Sequence, residues 1–159
     1  MYKEKSIDPS DSLKVAAFQH VLYEIRMFMA LPALSDDVIV SDCLTVAFLV
    51  HARVLCDFFQ KTKNPRRDDI ICSDYGFPQK SLEIEGDIET RFDKSLAHLT
   101  YSRLCFTDDT KVWLCHNFQP ALLSRIKEFL SHVTSQCELT LLPQELAEAK
   151  TILRNLDDI

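Results

Sequence analysis

With 159 residues, 47% of them apolar and 26% charged, the chain is long enough to bury its own core and lies far from the disordered class. It has two glycines, Gly76 and Gly86, where average usage gives roughly eleven; this excludes a turn-rich β fold and the glycine loops of Walker and dinucleotide sites. A net charge of −6 weighs against a general nucleic-acid or anionic-membrane binder, because phosphate binding is driven by clustered Lys and Arg.

The first helix is expected after Pro9-Ser10-Asp11, a cap signal, and stops at Pro32. Its inward stripe is Phe18, Val21, Leu22, Ile25, Phe28 and Met29. Ser35, Asp36 and Asp37 open a second helix, where carboxylates suit the positive end of the dipole. It runs to about Lys61 along Leu44, Ala47, Phe48, His51, Leu55 and Phe58. An irregular stretch follows, about Thr62 to Lys80, carrying the dense basic cluster Lys61, Lys63, Arg66 and Arg67 and reading as a solvated connector. The third helix spans about Ser81 to Thr100, with Ile84, Ile88, Phe92, Leu96 and Leu99 inward. Asp108 and Asp109 can cap a turn before Trp113, an expected core or rim aromatic. A fourth helix begins around Pro120, with Phe118, Leu122, Ile126, Phe129, Leu130 and Val133 inward. Pro143 opens the last helix, with Leu146, Ala149, Leu153 and Leu156 inward, and Asp157-Asp158 reads as a frayed end. These stripes predict one all-α domain over residues 1–159: a bundle of four long helices plus a shorter C-terminal helix.

Six cysteines (Cys43, Cys56, Cys72, Cys105, Cys115 and Cys137) include no pair at the two-residue gap of a zinc knuckle or redox motif. Residues 1–11 show no secretory pattern, so reduced thiols in a cytoplasm are expected. His51 and Arg53 interrupt the longest apolar run, and no membrane span is expected.

Two polar clusters are candidates for chemistry. In the first, Arg53 and Asp57 lie four apart and can pair across one helical turn, while His51 takes an apolar position of the stripe and needs polar partners. In the second, Asp87, Arg91, Lys94 and His98 form a polar strip, and Thr100, Tyr101 and Arg103 gather at the helix end. Arg91 and His98 share a face, about 10 Å apart along the axis. His20, His116 and His132 form no recognisable site.

An arginine followed after six residues by a histidine, late in a helical bundle, resembles the HEPN superfamily through Arg91 and His98. The segments HARVLCDFF and AHLTYSR also resemble stretches of bacterial helical proteins without an assigned activity. The HEPN resemblance implies an RNA-binding protein or metal-independent endoribonuclease, frequently dimeric and needing no cofactor. Arg91 would stabilise charge on the scissile phosphate, and His98 would act as base or acid toward the ribose 2′-hydroxyl. His51 or Arg53 would add a contact. Where that family usually carries a polar residue after the arginine, this chain has Phe92.

Helix packing separates the possibilities. Parallel packing of helices two and three sets His51 level with His98; antiparallel packing sets it level with Arg91. His51, His98 and Asp57 could then hold a metal, although no HExxH or repeated ExxH signature accompanies them. The non-catalytic alternative is a helical interaction or structural protein, with His51, Arg53 and Asp57 as a buried network fixing helix register. An exposed apolar stripe would favour that reading, with a second copy or another protein as partner. A polar cavity holding Arg91 and His98 would favour the enzyme.

Overall fold

The computed structural model describes residues 10–30, 36–60, 68–82, 84, 92, 96, 118–137 and 139–158. Within them lie four α-helices: α1 (Asp11–Ala30), α2 (Val38–Phe59), α3 (Gln119–Ser135) and α4 (Pro143–Asp157), with a 3₁₀ turn at Cys72–Tyr75. No strand occurs among the described residues. α1 packs on α2, α2 on α3, α3 on α4 and α4 back on α1, closing an all-α bundle.

Each helix starts where its residues can satisfy the first free N–H groups. The Asp37 carboxylate accepts from the Ile39 and Val40 amides at 2.9 and 3.1 Å, making it the cap of the Ser35-Asp36-Asp37 signal. α3 and α4 instead place Pro120 and Pro143 in the first turn, where no N–H is needed. The Leu142 amide donates to Glu145 at 3.4 Å, half of a capping box.

The expected stripes of α1 and α3 are buried, apart from Met29, which is half-buried. Ile84, Phe92 and Leu96 also pack on the core as expected, Phe92 meeting Phe118 edge-on at 5.7 Å. Phe129 is the hub: the rings of Phe18, Phe58, Phe59, Tyr75 and Phe77 lie 5.2–6.4 Å from its own. Such tilted and edge-on pairs add about 0.5–1.5 kcal/mol each beyond the area they bury.

Four expectations need correction. The second half of the long connector is not a solvated loop: Ile71, Cys72, Tyr75 and Phe77 are buried and close one end of the core. Gly76 ends the 3₁₀ turn at φ 71°, a left-handed conformation that excludes most side chains. The basic residues Lys61, Lys63, Arg66 and Arg67 lie outside the described residues. On α4, Ile152 and the Glu145 side chain are buried, while Leu146 and Leu153 are half-buried, a shift of the inward face by a fraction of a turn. Asp157 is not frayed; it closes α4 and faces Lys127 at 2.6 Å.

The fourth correction concerns α2. His51 and Arg53 do not shorten it below spanning length: its 22 residues are long and apolar enough to cross a membrane. Only Asp42, Arg53 and Asp57 on it are charged. One side, with Phe48, Leu49, Ala52, Leu55, Cys56, Phe58 and Phe59, faces the core. The other is also apolar and faces outward: Ile39 is 75% exposed, Val46 50%, Val50 44% and Val54 41%.

Candidate functional site

His51 sits on α2 opposite Glu24 of α1, with Nδ1 2.7 Å from Oε2. A carboxylate only accepts, so the geometry assigns the Nδ1 proton to the imidazole. The Tyr23 ring meets the imidazole edge-on at 5.8 Å. Glu24 thus fills the need for a polar partner that the sequence left open. The pair joins α2 to α1 across 27 residues of sequence.

Arg53 and Asp57, one turn apart, border an open groove of about 580 Å³. His20 and Glu24 of α1, with Asp68 and Asp69 beyond α2, complete its polar wall, and Val54 and Ile70 line it with apolar surface. The groove therefore gathers four carboxylates around one guanidinium, a field that repels phosphate. The remaining candidates Arg91, His98, Thr100 and Arg103 lie outside the described residues, as do Asp87, Lys94 and Tyr101. Whether His51 stands level with Arg91 or His98 lies outside them too. Among the described residues no three His, Cys, Asp or Glu side chains are arranged to hold a metal ion.

A second polar cavity, about 480 Å³, was not foreseen. His132 of α3 forms part of its wall and its Nε2 donates to the Tyr75 carbonyl at 3.0 Å, which the Cys137 thiol also approaches at 3.6 Å. The Tyr75 hydroxyl donates to the Lys14 carbonyl at 3.0 Å. His132 thus ties the connector to α3, and the Tyr75 hydroxyl ties it to α1. Burial, followed by the charge of Asp74, raises the Tyr75 phenol above its ordinary value. Burial likewise pushes the Cys72 thiol from 9.0 up to about 11, with the charge of Arg125 pulling the other way. Neither group is poised as a nucleophile near neutrality.

Arg125 was also missed. It is 7% exposed, donates from Nη1 to Glu128 at 2.7 Å and from Nη2 to the Pro78 carbonyl, and lays its guanidinium 4.1 Å over the Phe77 ring. These contacts clamp the connector onto α3. The described cysteines, Cys43, Cys56, Cys72 and Cys137, are free thiols.

No protein-family model, no curated protein and no solved structure matches this chain.

Proposed function

We propose that this chain is a helical interaction module whose docking surface is the outer face of α2. One observation carries the reading: Ile39, Cys43, Val46, Val50 and Val54 stand exposed along a single strip of a helix whose opposite side builds the core. Monomeric proteins rarely leave so long a contiguous apolar strip uncovered. The His51–Glu24 pair supports it, because a docking face is useful only if the helix bearing it is held at one rotation. Ser81, Leu82 and Ile84 are not helical, so the expected third helix does not begin at Ser81; in this reading a further helix that starts beyond Ile84 completes four long helices and a shorter C-terminal one. Glutamates at positions 46 and 50 test it. Val46→Glu with Val50→Glu is expected to keep the far-UV spectrum and cooperative urea unfolding within about 0.5 kcal/mol of the parent in dilute solution. A variant that unfolds places the strip inside the native core and ends the reading.

A second reading is favoured by the Arg91–His98 spacing: an HEPN-like, RNA-directed role, binding or metal-independent cleavage in a cytoplasm. The acidic groove beside Arg53 ranks it below the first, since a phosphate chain would meet Glu24, Asp57, Asp68 and Asp69 there. His98→Ala is expected to abolish RNA cleavage with the fold intact; equal cleavage by variant and parent ends this reading.

A further inference from the structure

The outer strip of α2 has a spacing and a charge pattern that point to its occupant. Ile39, Cys43, Val46, Val50 and Val54 recur at steps of four, three, four and four, the rhythm at which a second helix seats its own side chains between those of the first. Three valines and an isoleucine dominate the strip, and β-branched side chains have little rotamer freedom to lose on packing. Asp42 and Arg53 flank it. They are eleven residues apart, close to three turns, and therefore lie on the same edge of the strip.

We propose that the strip packs against the same strip of a second copy, antiparallel, with Val46 level with Val50 of the other chain. This deepens the interaction reading and rests on it. The two-fold axis of such a pair brings like edges together. With valines 46 and 50 level, Arg53 of one copy comes within one residue of Asp42 of the other, about 1.5 Å along the axis. Symmetry makes that ion pair twice. A parallel pair has its two-fold along the helices, which sets the Asp42–Arg53 edges of the two copies on opposite sides of the seam, so that neither ion pair forms. Arg53 is also engaged within its own chain, and a guanidinium has donors enough for both.

A lipid surface suits the strip less well. Interfacial helices place many Lys and Arg opposite bulky Trp, Phe and Leu, whereas α2 is held on its opposite side by the core and belongs to a chain of net charge −6. Lipid would also have to take in the flanking Asp42 and Arg53. Helix-on-helix packing over the ~22 Å from Ile39 to Val54 buries on the order of 1,000 Å² in total. That is the lower bound of a specific interface, so the dimer is reversible, with a Kd on the order of micromolar.

Sedimentation equilibrium of the full chain, from about 1 to a few hundred micromolar, reads this directly. The expected result is a reversible monomer–dimer equilibrium, weakened about 10-fold or more by Asp42→Arg and restored to within about 3-fold when Arg53→Asp is added. A chain that stays monomeric throughout overturns the proposal, as does a double variant as weak as the single one. A dimer captured by oxidation through a Cys43–Cys43 disulfide overturns the antiparallel register, which separates those residues by ~15 Å along the axis, beyond the ~7 Å Cα limit of a disulfide. Flotation of a monomeric chain with phosphatidylcholine vesicles overturns it in favour of lipid. Failure here is distinct from failure of the interaction reading: the first leaves the position 46 and 50 glutamate variant folded beside a monomeric parent, the second leaves that variant unfolded.

Discussion

α2 and α3 both run through the core, yet their outer faces differ. Outward from α3 stand Ser124, Lys127, Glu128, Ser131 and Ser135; outward from α2 stand Ile39, Cys43, Val46, Val50 and Val54. α3 has one apolar side and is satisfied by its own chain. α2 has two, and among the described residues one is covered. Burial alone explains α3, while α2 also carries apolar area that stands exposed.

The largest expected break in this comparison lies on α3. Phe129→Ala removes the ring about which Phe18, Phe58, Phe59, Tyr75 and Phe77 cluster. It should cost about 3–5 kcal/mol in equilibrium urea unfolding. A loss under about 1 kcal/mol would mean that the hub is not where the rings converge. Next comes alkaline pH, which separates the inner thiol from the outer one. The folded state raises Cys72 from 9.0 to about 11, so it holds this proton more tightly than the unfolded chain. That stability is fully present below about pH 9 and is lost as pH rises toward 11. The loss is roughly 2 kcal/mol from this group, with Tyr75 adding to it in the same direction. Melting curves of Cys72→Ala should fall less steeply over this window; an unchanged slope would contradict the burial account.

Smaller effects sharpen the contrast. Asp37→Ala removes the side-chain cap of α2 and should cost about 1 kcal/mol by urea unfolding. A cost near zero would show that water serves those amides equally well. Val50→Thr on the outer strip should shift dilute-solution stability by less than about 0.5 kcal/mol. A cost of several times that would mean that the strip belongs to the core.

The inward stripes of α1 and α3 were legible because each alternates with a polar face, and a 3.6-residue period then shows clearly. α2 was only half legible: with both sides apolar the period flattens, so its core side could be named from Phe48, Leu55 and Phe58 while the outer strip passed unnoticed. His51 was recognised as needing a partner, but Glu24 lies 27 residues away and no local rule reaches it. His132 and Arg125 were missed for the same reason, since their partners are the carbonyls of Tyr75 and Pro78, 57 and 47 residues distant. The buried connector did carry a signal: Ile71, Cys72, Tyr75 and Phe77 crowd seven residues with apolar and aromatic side chains, more than a solvated loop needs.

The thiols offer the most direct measurement of whether the outer face of α2 is open alone and covered in company. Cys43 lies on the outer strip, while Cys56 and Cys72 are buried. Alkylation followed by peptide mass spectrometry is expected to modify Cys43 fast in dilute protein and progressively slower as concentration rises through the association range, with Cys56 and Cys72 slow throughout. A Cys43 rate independent of protein concentration, or one as slow as Cys56 at every dilution, would contradict the account.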